Sequence, residues 1–150
     1  MTNSPEITFS VDGPVGRIHL NKPKSLNSLT QAMCAGMYDH LVKWAEDDAI
    51  HAVVVTGEGD RAFCAGGDVI QVSTGGQKDP VAAREFFRVE YEMDLAIAEF
   101  PKPYICLIDG IVMGGGLGIS VNGRYRVMSE HIMAAMPETG IGLLPDVGAT

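Results

Sequence analysis

The first residues of the chain alternate between apolar and polar side chains, as a strand with one buried face does. Ile7, Phe9 and Val11 are separated by polar residues, and segment 13–16, which contains glycine and proline, supplies a turn before residues 17–20. Alternation on both sides of a short turn is typical of a hairpin. We therefore predict a β-hairpin at the start of the chain, with one face packed inward.

Two later stretches have apolar residues at helical spacing. The first covers residues 29–46, and Ser28 followed three positions later by Gln31 matches a capping box. The second covers residues 81–99 and must end before Pro101, because proline cannot continue a helix. On this second helix the predicted core stripe consists of Phe87, Tyr91, Leu95 and Ala98.

A neighbouring stripe of the second helix contains a single charge. Phe86, Glu90, Met93 and Ile97 recur at helical spacing, and Glu90 is the charged member. Glu90 can point into a pocket, or the stripe can be a boundary from which this side chain reaches solvent. Periodicity alone slightly favours the boundary, so both interpretations stay open.

Two continuous apolar runs, residues 52–55 and 105–108, predict strands that are buried on both faces, as in parallel sheets. The glycine-containing loop 65–68 comes after the first run. The triple glycine 114–116 comes after the second and opens a short helix that ends near Val121. Two shorter strands and a final loop are predicted at 125–128, 132–135 and 137–148. The repeated order of strand, glycine loop and helix predicts an α/β architecture with stacked turns.

Composition restricts what a chain of 150 residues can do, since this length suits one domain. The 11 Lys and Arg residues against 19 Asp and Glu residues give a net charge of −8, which argues against a nucleic-acid-binding surface. The most apolar stretch, residues 104–121, contains Asp109 and five glycines, so no membrane-spanning helix is predicted.

The cysteines and the termini lead to predictions about location and completeness. Cys34, Cys64 and Cys106 form no C-x-x-C pair, as expected in a reducing compartment, and the scattered histidines predict no metal site. Residues 1–6 resemble neither a secretory signal nor a transit peptide, so a cytoplasmic location is predicted. The chain stops within a loop rich in Gly and Pro, which predicts that residues 1–150 are the N-terminal part of a longer domain.

The glycine clusters have the features of anion-binding loops. Amide N–H groups at the start of a helix lack intrahelical partners and carry the positive end of the helix dipole, and glycine lets a ligand approach them closely. Loops 65–68 and 114–116 are expected at equivalent strand ends, where one amide from each can form an oxyanion hole. The alternative is a tight turn without a ligand, and Asp68 is interpreted first as a cap.

Two carboxylates of the final loop are candidate general bases. Glu138 and Asp146 are surrounded in sequence by apolar residues, and desolvation would raise the pKa of each carboxyl group into the range useful for a base near neutral pH. The apolar neighbours of this prediction are Met136, Ile141, Leu143 and Leu144. The alternative, favoured for each residue taken alone, is a solvated loop acid.

Together these motifs resemble the crotonase, or enoyl-CoA hydratase/isomerase, superfamily. The resemblance is carried by N-K-P-K-S-L-N-S-L at 21–29, R-A-F-C-A-G-G-D at 61–68, K-P-Y at 102–104 and D-G-I-V-M-G-G-G-L-G at 109–118. Within the superfamily, segments 113–120, 135–142 and 144–148 are most similar to the branch of 3-hydroxyisobutyryl-CoA hydrolases, the thioesterases of valine breakdown. The resemblance implies a crotonase-like spiral of stacked ββα turns.

The same resemblance implies roles for particular residues. The amides of Gly67 and Gly115 would hold the thioester carbonyl oxygen, and Glu138 would be the principal catalytic carboxylate with Asp146 as its partner. Glu90 would lie in the substrate pocket near the acyl hydroxyl. The coenzyme A portion of the substrate would be bound by Lys24, Ala65, Gly66 and Asp68. No separate cofactor is implied, and association into a homo-oligomer would use C-terminal helices beyond residue 150.

One departure separates the activities of the superfamily. Hydratases of this superfamily carry a second glutamate at the position of Gly118, so we expect hydration to be absent or feeble. The preferred function is hydrolysis of a short 3-hydroxyacyl-CoA thioester. An isomerase that uses Glu138 alone and a non-catalytic acyl-CoA-binding protein remain alternatives.

Overall fold

The computed structural model describes residues 4–68 and 80–148, in which the chain forms eight strands, three α-helices and two short 3₁₀ helices. The strands are Ile7–Asp12 (β1), Val15–Leu20 (β2), Ala52–Gly57 (β3), Ala62–Cys64 (β4), Tyr104–Ile108 (β5), Ile111–Met113 (β6), Tyr125–Met128 (β7) and Met133–Ala135 (β8). The α-helices are Gln31–Glu46 (α1), Pro80–Ala98 (α2) and Gly115–Val121 (α3), and the 3₁₀ helices are Pro23–Ser25 and Glu138–Ile141. No helix of the described segments is both long and apolar enough to cross a membrane.

Successive turns of the chain add one strand to each of two sheets. The larger sheet has the order β1-β2-β3-β5-β7 and the smaller one β4-β6-β8. All pairs are parallel except the β1–β2 hairpin, which forms as predicted. β3-β4-α2 and β5-β6-α3 are therefore consecutive ββα turns, and β7, β8 and the second 3₁₀ helix follow the same order. The predicted α/β architecture of stacked turns is confirmed.

The prediction that the long apolar strands are buried on both faces is wrong. Val53 and Val55 of β3 and Cys106 of β5 are buried in a core that includes α1 and α2, whereas Leu107 of β5 is exposed. Its neighbour across the sheet, Val127 of β7, is exposed as well. An apolar run therefore identified these strands but not their burial, because the outward side chains meet solvent in the described part of the chain.

Helix α1 begins later than its capping-box signature predicts. Thr30, not Ser28, is the N-cap, and its side-chain oxygen accepts a hydrogen bond of 3.3 Å from a backbone amide of the first turn. Leu29 is not helical, because its N–H donates to Gly66 and its carbonyl accepts from Asp68, each at 2.8 Å. A contact with a distant loop thus displaces the helix start.

The predicted core stripe of α2 is also wrong. Tyr91 and Leu95 are exposed, whereas all four residues of the neighbouring stripe are buried, namely Phe86, Glu90, Met93 and Ile97. Glu90 is only 3% exposed and lies on the inward face of the helix. Of the two interpretations of this stripe, the pocket is correct. Periodicity misled because the two stripes are similarly apolar.

Two strands that the sequence pattern did not reveal position the glycine loops. β4 and β6 have only three residues each and pair in parallel in the smaller sheet. Loop 65–68 follows β4, and the triple glycine follows β6. Since the carboxyl ends of neighbouring parallel strands lie at the same edge, the two loops emerge side by side.

Candidate active site

A cavity of about 210 Å³ lies where the two glycine loops meet α2 and the final loop. Its walls combine backbone at the glycine positions with three carboxylates and a set of apolar side chains. The lining residues are Ala65, Gly66, Gly67, Phe86, Phe87, Glu90, Gly114, Gly115, Pro137, Glu138, Ile141, Leu143 and Asp146. Mostly apolar walls with a few convergent polar groups are typical of small-molecule sites.

The first glycine loop is tied to the segment before α1. In addition to the pair of hydrogen bonds that Leu29 makes, the N–H of Ala65 donates to the carbonyl of Leu26 at 2.9 Å. The Asp68 carboxylate accepts from Lys22 Nζ at 2.6 Å, and both side chains are largely shielded from solvent. These contacts fix the loop backbone from both ends, so the position of Gly67 is set by packing and not by a ligand.

The second glycine loop turns sharply at Gly114. This residue has φ +49°, a conformation that side-chain-bearing residues rarely adopt, and its N–H donates to Ala135 at 3.2 Å. A Cβ atom on Gly114 would lie 2.6 Å from Glu138 Oε1. Glycine is therefore needed here for both the turn and the close approach of the carboxylate. Gly115, the next residue, is the first residue of α3.

The backbone atoms of Gly67 and Gly115 lie close together. A Cβ atom on Gly115 would be 3.4 Å from the amide nitrogen of Gly67, and one on Gly66 would be 3.3 Å from the amide nitrogen of Gly115. Neither amide donates a backbone hydrogen bond outside its own element in the described residues. As the first residue of a helix, Gly115 also lacks an intrahelical acceptor. Two available donors at one wall of a cavity suit an anionic oxygen.

Glu138 contributes its carboxylate from the second 3₁₀ helix. Its Oε2 atom is buried and has no hydrogen-bond partner among the described atoms. The apolar enclosure expected from its sequence neighbours is only partial, because Ile141 and Leu143 line the cavity but are exposed, and Leu144 is 83% exposed. An unpaired buried oxygen leaves this carboxylate free to accept from a bound molecule.

Glu90 lies opposite the two glycine amides. Its Oε1 atom would be 2.5 Å from a Cβ atom on Gly115 and 3.9 Å from one on Gly67. Burial, together with the nearby negative charges of Asp146 and Glu138, raises its pKa to about 7. Glu90 therefore changes its protonation state near neutral pH, as a group that exchanges a proton with a ligand must.

Asp146 is held by a residue that sequence analysis assigned to the core. The hydroxyl of Tyr91 donates to Asp146 Oδ2 at 2.5 Å. Burial and this hydrogen bond to a carboxylate both raise the pKa of Tyr91 above its ordinary value, so the phenol keeps its proton. Tyr91 follows Glu90 directly, and successive residues of a helix do not face each other, so the sequence carried no signal for this contact.

Asp94 is a second residue that sequence analysis missed. It lies one helical turn after Glu90, is 6% exposed, and neither carboxylate oxygen has a partner in the described residues. Burial, together with the negative charges of Glu90 and Asp146, raises its pKa to about 8. Two acidic residues four positions apart on one helix were the available signal, since they must share a face.

Two residues assigned to the coenzyme A portion of a ligand do not line the cavity. The Asp68 carboxylate is paired with Lys22 and is not among the residues that line the cavity. Lys24 lies exposed on the first 3₁₀ helix and makes no ion pair within the described segments. Those segments also contain no group of three or more His, Cys, Asp or Glu side chains that could hold a metal ion.

Most of the chain, including both glycine loops and Glu138, matches a known family model. The model for enoyl-CoA hydratase/isomerase matches residues 15–150. This chain belongs to the enoyl-CoA hydratase/isomerase family. The resemblance inferred from the motifs is thereby confirmed.

Relatives of this family member include proteins named as hydrolases. The protein from Danio rerio named 3-hydroxyisobutyryl-CoA hydrolase, mitochondrial, is 47% identical over 143 residues, and the Homo sapiens protein of the same name is 46% identical over 143 residues. Each match covers 95% of this chain and 37% of the relative. This enoyl-CoA hydratase/isomerase family chain thus spans little more than a third of the length of these relatives.

Solved structures of the family have the same fold. A carnitinyl-CoA dehydratase from Mycobacterium thermoresistibile superposes with a TM-score of 0.94 at 44% identity, covering 97% of this chain and 43% of that one. An enoyl-CoA hydratase from Rhodobacter sphaeroides superposes with a TM-score of 0.92 at 41% identity, covering 96% and 43%. The crotonase-like spiral predicted from the resemblance is therefore confirmed.

The predicted cytoplasmic location is wrong. Both hydrolases named above carry the word mitochondrial in their names, which points to mitochondria. The prediction rested on the unpaired cysteines and on the lack of a signal or transit-peptide pattern in residues 1–6, and the structure does contain three free, buried thiols. Free thiols report a reducing environment and do not distinguish one such compartment from another.

Proposed function

We propose that this protein hydrolyses the thioester bond of a short 3-hydroxyacyl-CoA, with 3-hydroxyisobutyryl-CoA as the substrate and valine catabolism as its setting. The observation that carries the proposal is that Gly67, Gly115, Glu138 and Asp146 line one cavity. Two backbone donors next to two carboxylates suit a reaction in which a carbonyl oxygen becomes negatively charged while water adds to the carbonyl carbon. The names of the relatives support the same chemistry.

In the proposed reaction the thioester carbonyl oxygen accepts hydrogen bonds from the amides of Gly67 and Gly115. Charge develops on this oxygen as the carbonyl carbon becomes tetrahedral, and one such donor contributes about 3 kcal/mol to lowering the barrier. Collapse of the tetrahedral intermediate expels the thiolate of coenzyme A, which takes up a proton. Water and thioester are consumed, and a free 3-hydroxy acid and a thiol are released.

Glu138 has one of two roles in this scheme. It can remove a proton from the attacking water, or it can attack the carbonyl carbon itself and form a mixed anhydride that water then hydrolyses. Its buried, unpartnered Oε2 supports either role. Asp146 assists proton transfer in both routes, and its hydrogen bond from Tyr91 supports a fixed position for this carboxylate.

Glu90 is proposed to bind the 3-hydroxyl group of the acyl chain. It lines the same cavity as Glu138 and lies next to Gly115, and its carboxylate has no protein hydrogen-bond partner in the described residues. The backbone of Ala65 and Gly66 is proposed to contact the coenzyme A portion. Lys24 would reach its phosphates only from outside the cavity, and Asp68 would act indirectly through the loop.

The test is release of thiol from 3-hydroxyisobutyryl-CoA, followed in parallel with hydration and double-bond isomerisation of an enoyl-CoA. We expect thiol release alone. Glu138→Gln is expected to lower kcat by about 10³-fold, within the range of general acid–base groups, while acyl-CoA binding persists. Isomerisation without thiol release would instead support the single-glutamate isomerase, and binding without turnover would support a non-catalytic protein.

A single-turnover reaction in water labelled with heavy oxygen separates the two roles of Glu138. If the anhydride forms, water attack can leave the label in the Glu138 side chain, and mass spectrometry of the peptide containing residue 138 detects it. If Glu138 activates water, the label appears only in the released acid. Glu138→Gln serves as the blank for label incorporated without catalysis.

A further inference from the structure

Gly118 on α3 has no room for a side chain. A Cβ atom there would lie 2.7 Å from the Cβ atom of Val147 and 3.1 Å from its Cγ2 atom. It would also lie 3.1 Å from Asp94 Oδ1. Gly118 is itself buried, so the space that its side chain would occupy is already filled by Val147 from the final loop.

Val147 adopts a backbone conformation that is unfavourable for it. Its φ is +49°, and a β-branched residue in the left-handed region is a strained exception that surrounding structure must maintain. The side chain is 5% exposed although the neighbouring residues 143 and 144 are exposed. Burial of this side chain against Gly118 is the contact that offsets the strain.

A second contact between the same two elements reinforces the first. Asn122, which follows α3, donates from Nδ2 to the carbonyl of Gly118 and to the carbonyl of Val147, each at 2.9 Å. The end of α3 therefore holds residue 147 by its side chain and by its backbone. Because both the side chain and the backbone carbonyl of Val147 are held, the residue before it has little freedom to move.

The residue before Val147 is Asp146, whose carboxylate lines the cavity and accepts from Tyr91. We infer that Gly118 is a positioning residue for Asp146: its missing side chain admits Val147, and the docked Val147 directs the Asp146 carboxylate into the site. This inference rests on the proposed function and extends it. In the sequence, position 118 was notable only because it lacks the second glutamate of the hydratases. The inference gives the glycine itself a role.

A structural consequence is that a side chain at 118 and the observed position of the Val147 side chain exclude one another. A glutamate at 118 would displace Val147 before it could approach a bound molecule. We therefore expect Gly118→Glu to lose thiol release without gaining hydration of an enoyl-CoA.

The test uses Gly118→Ala, Val147→Gly and the double variant. The single change at 118 forces Val147 out and is expected to lower kcat by about 10²-fold with little change in KM, the size of effect expected from misplacing a catalytic group by about 1 Å. In the double variant the new methyl group occupies the space that Val147 leaves, and glycine accepts the positive φ without strain. Thiol release is then expected to recover to within about tenfold of the wild-type rate.

Gly140→Ala is the matched control. Gly140 belongs to the same final loop, has an ordinary φ, and a Cβ atom there would contact nothing within 4 Å. This variant is expected to retain the wild-type rate. A loss of activity equal to that of Gly118→Ala would attribute the effect to general loosening of the loop and overturn the inference.

A second comparison asks whether Gly118 acts through Asp146. In an Asp146→Asn background, Gly118→Ala is expected to cause less than about threefold further loss of kcat, because the group that it positions is already gone. A full additional loss of 10²-fold, or no recovery in the double variant with Val147→Gly, would overturn the inference.

Thermal unfolding separates this inference from the proposed function. If the wild-type protein releases no thiol, the proposed hydrolysis is wrong, and melting temperatures then decide on the contact alone. A double variant that melts at a higher temperature than Gly118→Ala supports docking of Val147 at position 118. Additive changes in melting temperature would show that the two residues do not interact and would overturn the inference.

Discussion

The two faces of helix α2 differ in whether their charged side chains form ion pairs. On the outward face the guanidinium of Arg88 lies between Glu85 and Glu92 and donates to both. On the inward face Glu90 and Asp94 are buried one helical turn apart, and no ion pair in the described residues includes either of them. The charged side chains that are exposed to water are therefore paired, whereas the buried carboxylates are not.

This difference is the reverse of what stability alone would favour. Exposed ion pairs contribute little to folding, whereas a buried carboxylate without a partner is destabilising and holds its proton to a higher pH. Glu90 and Asp94 have such raised pKa values, about 7 and about 8. Groups of this kind beside a cavity are more often retained for chemistry than for folding. The contrast predicts that changes on the two faces separate activity from stability.

The largest effect is expected from neutralising the inward face. Glu90→Gln should lower kcat/KM by about 10²-fold, the upper range for a charge-assisted hydrogen bond to a substrate hydroxyl, while stability at pH 8 stays equal or rises because a buried charge is removed. Steady-state thiol release and urea unfolding of the same preparation measure the two quantities. The matched change on the outward face, Glu92→Gln, should alter neither.

A parallel loss of activity and stability in Glu90→Gln would contradict the comparison, because it would mean that the inward carboxylate acts mainly in folding. Loss of activity in Glu92→Gln would also contradict the comparison, because it would mean that the outward face contributes to activity. The pH profile adds a third readout, since an ionisation near pH 7 in kcat/KM should disappear from the Glu90→Gln variant.

An intermediate effect is expected from Asp94→Asn, and it should depend on pH. The folded protein holds the Asp94 proton up to about pH 8, whereas the unfolded chain releases it near the ordinary value of 3.8. Between these values the folded state binds more protons, so the contribution of Asp94 to stability falls as pH rises. The variant should therefore be more stable than wild type at pH 9, by about 2 kcal/mol, with a smaller difference at pH 4.

Urea unfolding at pH 4, 6 and 9 measures this prediction, with Glu92→Gln as the control whose stability should follow that of wild type at each pH. A stability difference between Asp94→Asn and wild type that is the same at all three pH values would show that Asp94 does not carry its proton to a higher pH in the folded state.

The smallest effect is expected from Arg88→Ala on the outward face. Its two ion pairs lie at the surface, where solvent screening removes most of their energy. The unfolding midpoint should stay within experimental error of wild type at physiological ionic strength, and thiol release should be unchanged. A clear loss of stability that disappears in high salt would show that this surface network matters more than the comparison allows.

The glycine loops illustrate how much of the site could be predicted from sequence. Loops 65–68 and 114–116 were singled out because glycine after a strand permits close approach to backbone amides, a property of the residue type that needs no tertiary information, and the family resemblance then pointed to Gly67 and Gly115 within them. Glu138 was found in the same way, from a carboxylate in a loop with apolar neighbours. The raised pKa values of Glu90 and Asp94 depend on burial and on charges from other segments, so they could not be computed from the chain alone.

The helices show where sequence signals were insufficient. Periodicity located α2 but selected the stripe of Tyr91 instead of that of Glu90, because two stripes of similar hydrophobicity cannot be ranked without knowing what lies against them. The capping signature at Ser28 was locally sound, yet the bridge between Leu29 and the glycine loop prevailed.

Local chemistry in the sequence was enough for the longer strands, the helices, the α/β class and the glycine loops, because each depends on the properties of residues near one another in the chain. The convergence of residues 67, 115, 138 and 146 on one cavity, and the docking of Val147 where Gly118 has no side chain, arose only on folding. Those contacts join segments that are tens of residues apart, and their geometry depends on how the ββα turns stack.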